Sequence, residues 1–348
     1  MSRPRTPIAP RTPVVLALLT AALLASAVAG LALGPVRIAP GQVLDIVLGG
    51  PGQRTGAFAS IVWDVRMPRV LLGAVVGAGL AVAGTVLQAL VRNQLADPFL
   101  LGASSGASLG AVLVIVFGAG AGAAGALGVP AAAFAGSMGA LVAVYAMARR
   151  GATMTTGRLI LAGVAVQYIL SALTSLVLVL AAHPDQIRSV LFWTLGGLGG
   201  ARWDELALPA AALLVGTALL TALARPLDLL LAGEEGARTL GLDTGRFRAA
   251  VFVLTSLVIG VLVACSGAIG FVGLMVPHAA RMVVGAGHRA LLPVAALGGA
   301  VFLTLADLVA RTAAAPEEIP VGVVTALAGG PFFLWMLRRS TRVEGVAG

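Results

Sequence analysis

The chain has 348 residues, 59% of them hydrophobic and 11% charged, with a mean hydropathy of +1.02; a soluble globule of that composition would lack the polar surface to cover itself. The formal net charge is +9, from 23 basic and 14 acidic residues, and every basic residue is arginine. Without lysine the chain can hold no Walker A phosphate loop, lysine Schiff base or Ser-Lys dyad.

Cys265 is the single cysteine and falls in an apolar run, so neither a disulfide nor a thiolate metal cluster can form within one chain, and a core role is expected. His183, His278 and His288 lack metal-ligand spacing, and no metal site is expected. The positive charge suits loops on the cytoplasmic side of a membrane better than a nucleic-acid surface. An all-α polytopic membrane protein follows.

Arg3, Arg5 and Arg11 precede the apolar run Val14 to Leu33, in which Ala25-Ser26-Ala27 has the form of a signal-peptide cleavage site. The run is about 20 residues, enough to span a bilayer, and is read as the first transmembrane helix with its arginines in the cytoplasm. Gly34 to Trp63 is rich in Gly and Pro and reads as an outside connection with a short helix around Gln42 to Leu48. Apolar segments follow at 67–91, 99–118, 124–148, 158–182, 204–224, 248–267, 270–285, 290–311 and 320–337, which makes ten spans. An even number places both termini on one side, and Arg338, Arg339 and Arg342 mark it as cytoplasmic. The domain reading is a cytoplasmic tail (1–12), one ten-helix domain (13–338) and a second cytoplasmic tail (339–348).

On this topology only arginines 37, 54, 66, 69, 188, 202 and 311 fall outside, seven of 23, as the positive-inside rule requires. Arg66, Arg69 and Arg311 stand at outer span ends. Arg188 to Trp203 is too short and glycine-rich to span and is expected at the outer interface. Gly73 and Gly77, and Gly102, Gly106 and Gly110, recur every four residues, a spacing for close helix packing.

Ion-coupled transporters keep titratable groups inside the membrane. Here the nearest case is Asp307, four residues before Arg311 and on the same helical face, where the two should pair. No Ser/His/Asp or metal set is in evidence for catalysis, so energy must come from another protein. The longest cytoplasmic connection, 226–247, holds Gly233, Glu234, Ala237, Leu240 and Gly241. Glu234 to Leu240 can form a short helix with acidic residues at its positive end and a glycine stop. Such a helix is either a surface connector or a plug for a partner that hydrolyses ATP.

The chain resembles permeases of the iron-siderophore, haem and cobalamin importer family, the type II ABC importers, over almost its whole length after residue 35. The resemblance rests on Arg66-Met67-Pro68-Arg69, Gly84-Thr85-Val86-Leu87-Gln88, Asn93 to Pro98, Leu101 to Ala107, the Gly233 to Gly241 loop, Gly267 to Arg281, Ala306-Asp307 with Arg311, Ile319 to Gly322 and Gly330 to Phe333. It implies ten spans, a paired permease (a second copy or a related chain), two ATPase subunits that hold the ATP and magnesium, and an extracytoplasmic binding protein. No cofactor would be bound by this chain, and its setting would be the bacterial inner membrane, among lipid and without nucleic acid.

The same resemblance implies that Arg66, Arg69 and Arg311 receive acidic residues of the binding protein, in keeping with the way exposed charge pairs steer docking. It makes the Gly233 to Gly241 loop the coupling helix, with Glu234, Ala237 and Leu240 in contact with the ATPase. Asn93 and Leu95 would help to close the pathway toward the cytoplasm, with Gln88 along it and Thr155 and Thr156 as a second gate. Most members of that family carry proline where this chain has Gln94, which leaves the turn less rigid. Asp97-Pro98 reads independently as an N-cap followed by proline at the first helical position. Pro277-His278 reads as a kink with a hydrogen-bonding side chain. The cargo implied is a metal chelate, ferric siderophore first, with haem or cobalamin as alternatives; a proton- or sodium-coupled secondary transporter is the competing class.

Overall fold

A computed structural model describes residues 11–49, 56–94, 96–118, 128–150, 153–154, 156–231 and 233–344. The chain is helical almost throughout: α1 (Thr12–Ala32), α2 (Pro40–Leu48), α3 (Ala57–Val91), α4 (Ala103–Phe117), α5 (Gly128–Ala148), α6 (Thr156–Ala181), α7 (Pro184–Leu195), α8 (Ala207–Ala222), α9 (Ala224–Leu231), α10 (Glu234–Thr239), α11 (Thr244–Ser266), α12 (Val272–Val284), α13 (His288–Thr312) and α14 (Val321–Glu344). Among the described residues seven helical segments are long and apolar enough to cross a membrane, and the shorter apolar helices α4, α12 and Val321–Met336 of α14 make ten.

The departures from the expected boundaries have local causes. Pro98–Leu101 forms a 3-10 turn, and Gly102 (φ 79°) resets the chain, so α4 starts only at Ala103. At 15 and 13 residues, α4 and α12 are roughly 22 and 20 Å long, short of a bilayer core of about 30 Å. Within α3, Pro68 lacks the N–H that would bond the Asp64 carbonyl, and the ladder re-forms as a π-helical turn, Ile61–Arg66, with the Met67 N–H bonded to the Val62 carbonyl. Between α5 and α6, Arg149–Arg150 and Thr153–Met154 pair as a two-residue antiparallel ladder, which no periodicity announces. The stretch expected to lie at the interface becomes α7 and a 3-10 turn at Trp203–Glu205.

Helix α3 is the axis of the bundle. In its most apolar window 83% of the residues are buried, against 11% for α6. Glycine makes this possible. A Cβ at Gly77 would stand 2.2 Å from the Gly299 carbonyl oxygen of α13, and one at Gly84 only 1.9 Å from the Gly273 oxygen of α12. The α4–α5 contact has the same basis, with Gly106 against the Gly136 carbonyl and Gly110 against that of Ala132. The predicted glycine faces are thus packing faces, except at Gly102, which serves as a helix start.

The two ends of the bundle differ. The last turn of α1 meets Arg66 and Arg311, and α14 begins two residues after Ile319, whose N–H bonds the Ala310 carbonyl of α13. Both helices therefore point their remote termini to the opposite end, where Asp228 of α9 meets His288 at the start of α13. The described chain ends lie on the α10 side.

Gly84→Ala is expected to destabilise the protein by about 1–3 kcal/mol, because backbone rather than a flexible side chain blocks the methyl. Gly139→Ala in α5, where a Cβ meets nothing within 4 Å, should leave the thermal midpoint in detergent unchanged or raised.

Candidate functional site

At one end of the bundle Arg66, Arg69 and Arg311 converge, but not as surface cations. They are 4%, 7% and 4% exposed. Asp307 accepts both of its bonds from Arg69 Nε, at 2.9 and 3.1 Å, while Arg311 Nε stands 3.7 Å away. The expected helical pair Asp307–Arg311 exists, yet the closer partner comes from another helix. Glu318 takes the Arg69 Nη1 group at 2.9 and 3.0 Å.

Arg66 and Arg311 also finish α1. The last four carbonyls of a helix have no partner within it. Here Ala29 accepts from the Leu33 N–H, Gly30 from Arg311 Nη2, Leu31 from Arg66 Nη1 (2.6 Å), and Ala32 from Arg66 Nη1 (3.0 Å) and the Ile38 N–H (3.0 Å). Arg66 Nη2 reaches the Val36 carbonyl as well. Positive charge at a helix C-terminus is favourable in addition. The three arginines are therefore buried in this chain, where they form an internal clamp joining α1, α3 and α13. The exposed charges beside them are Arg188 and Glu317, paired at 3.1 Å, and the 42% exposed side chain of Glu318.

Next to Arg69 a cavity of about 390 Å³ opens between α7, the end of α11 and the start of α14. Glu318, Glu205, Cys265, Gly199 and Phe192 share its lining. Cys265 is half-buried there rather than sealed in the core.

At the opposite end the chain closes α10 as anticipated. Gly241 (φ 86°) stops the helix, the Leu242 N–H returning to the Ala237 carbonyl at 3.0 Å, and Gly233 (φ 121°) opens it. Leu240 is 69% exposed and Ala237 fully buried. Ala237 is thus corrected from a partner contact to the residue that seats α10 on the bundle. Sequence reasoning missed the joint beneath it, where Asp228 Oδ1 accepts from the His288 backbone N–H (3.0 Å) and lies 2.6 Å from His288 Nδ1.

The gate candidates are scattered. Arg92 (φ 55°) ends α3, and Asn93 and Gln94 are exposed. Leu95 and Thr155 lie outside the described residues, and Thr156 is described only as the first residue of α6. Gln88 is 2% exposed and spans α3 and α12, its Nε2 reaching the Gly273 and Leu274 carbonyls at 3.3 Å and its Oε1 accepting from Arg281 at 2.8 Å. Within the single chain it is an interhelical tie. Asp97 caps as predicted, accepting from the Phe99 N–H at 2.8 Å. Burial pushes its carboxyl up, while the N–H groups of Phe99 and Phe271 pull it back. His278 does not make the expected hydrogen bond: its ring meets Phe332 edge-on at 6.2 Å, and Nδ1 has no partner.

A permease architecture of this kind has close relatives. The model of the FecCD transport family matches residues 19–339. The chain is 48% identical to the cobalamin import system permease protein BtuC of Halobacterium salinarum, over 80% of this chain and 73% of that one. It is 45% identical to the hemin transport system permease protein HmuU of Yersinia pestis, over 80% and 83%. It is 43% identical to the vitamin B12 import system permease protein BtuC of Salmonella paratyphi A, over 81% and 84%. Among solved structures, a chain of a metal-chelate type ABC transporter in an inward-facing conformation is 33% identical, with a TM-score of 0.82 over 94% of this chain and 99% of that one. This chain belongs to the FecCD transport family. It is a multi-pass membrane permease of an ABC importer and not an enzyme, ATP hydrolysis belonging to a separate subunit.

Asp307→Ala should cost about 3–5 kcal/mol, since it strands buried guanidinium groups. Arg188→Ala, which breaks an exposed pair, should cost at most about 1 kcal/mol. Thermal unfolding of the purified variants followed by size-exclusion chromatography separates the two.

Proposed function

We propose that this permease carries a metal chelate of the tetrapyrrole or corrinoid kind, cobalamin-like or haem-like, ahead of a ferric siderophore. The observation that carries the reading is the set of relatives at 43–48% identity, named for cobalamin, hemin and vitamin B12. The spans agree with a bulky cargo passing in transit, since their small and neutral residues make a smooth wall rather than a tight polar site. The chain works in the bacterial inner membrane with its termini and α10 in the cytoplasm, paired with a second permease, two ATPase subunits and a binding protein.

On this reading Leu240, exposed at the end of α10, meets the ATPase, and Glu234 is a second contact. The Arg66 end receives the binding protein, and there Arg69 borders an open cavity. The turn from Asn93 through Leu95, together with Thr155 and Thr156, closes the pathway toward the cytoplasm.

The cargo is identified by purifying the cognate binding protein and recording its absorption spectrum and metal content. A corrinoid or haem spectrum is expected. A retained ferric siderophore would overturn the tetrapyrrole reading, and a sugar or amino acid the chelate reading as a whole. Leu240→Asp should reduce co-purification of the ATPase subunits at least tenfold while the permease stays folded; undiminished co-purification would move the contact elsewhere.

A further inference from the structure

The bonds of Arg69 differ in permanence. Its Nε is committed to Asp307, whose side chain is 3% exposed and sits between two helices. Its Nη1 is held by Glu318, from the connection between α13 and α14, with a side chain 42% exposed. A doubly hydrogen-bonded carboxylate on a guanidinium is a strong contact when dry, but an exposed partner exchanges with water and contributes little. The cavity of about 390 Å³ reaches this pair directly. Gly199 borders the pair, a Cβ built there lying 3.6 Å from Glu318 Oε2 and 3.7 Å from Arg69 Nη1. The surrounding cluster sets three arginines against the two carboxylates of Asp307 and Glu318.

We propose that Glu318 is a resident carboxylate occupying the Arg69 seat, and that an acidic side chain of the docking binding protein displaces it. The inference rests on the docking reading above and adds a competitor built into the permease. In the resting chain Glu318 neutralises a buried cation that borders the cavity and would otherwise attract anions. On docking, an incoming carboxylate takes the same Nη1 group through the cavity, and Glu318 swings to solvent. Charge complementarity commits the site to an acidic side chain: one vacated guanidinium edge donates to one carboxylate. The exchange keeps Asp307 in place, so the clamp on α1 and α13 stays closed while the surface contact changes hands.

The test uses the permease assembled with its ATPase subunits in lipid nanodiscs, titrated with the cognate binding protein at low and physiological ionic strength. Glu318→Gln and Glu318→Ala remove the competitor and should tighten binding about two- to fivefold, the range of one exposed pair. Glu318→Asp keeps the charge and should bind as wild type, as should Glu317→Gln. Neutralising acidic residues on the lobes of the binding protein should weaken binding and abolish the gain from Glu318→Gln. Unchanged or weaker binding by both Glu318 variants, with lobe neutralisation still harmful, would overturn the competitor and leave docking standing. If lobe neutralisation has no effect, the docking reading fails and the competitor falls with it.

Discussion

One buried carboxylate organises an entire end of this protein. Asp307, 2% exposed, would be costly to ionise in the membrane alone. With Arg69 at 2.9 Å and Arg311 at 3.7 Å it becomes the centre of an ionic knot. Arginine suits this role because its planar fork donates in several directions at once. Arg69 divides its donors between Asp307 and Glu318, while Arg311 donates to the Gly30 carbonyl of α1 and adds its charge beside Asp307. A change of charge there is a change in how three helices meet.

Away from that end the bundle depends on the absence of side chains. In a membrane the lipid is as apolar as leucine, so helices associate by close van der Waals approach rather than by escape from water. Gly77 against Gly299 and Gly84 against Gly273 bring α3 into backbone contact with α13 and α12. Part-buried polar ties then fix the register, Gln88 to Arg281 across α3 and α12 and Asp228 to His288 across α9 and α13. Helix α13 belongs to both systems: its first residue meets Asp228 of α9 and its last turn carries Arg311.

Much of this was legible in the order of residues. Ten apolar segments, the first helix, the glycine faces, the Asp97 cap and the Gly241 stop follow from hydropathy, spacing and helix-end chemistry, all properties of neighbouring residues. The starts of α4 and α12 were misplaced by a few residues because Gly102 and Phe271 adopt left-handed φ, which hydropathy does not register. The arginines were recognised as unusual, but their burial was not foreseen. A position at the end of a span says nothing about whether another helix covers it.

Local sequence therefore determined that this chain is a lysine-free, polytopic helical membrane protein, and its ordered motifs resembled an importer permease. Only the tertiary structure decided what the notable residues do. It turned Arg66, Arg69 and Arg311 inward, gave Asp307 a partner 238 positions away, seated Ala237 under α10 and made Gln88 a tie between helices. The physical reason is that hydropathy and capping act over one or two helical turns. Pairing a charge with a distant carboxylate or carbonyl requires knowing which helices lie side by side, and that is settled only when the glycine surfaces have packed.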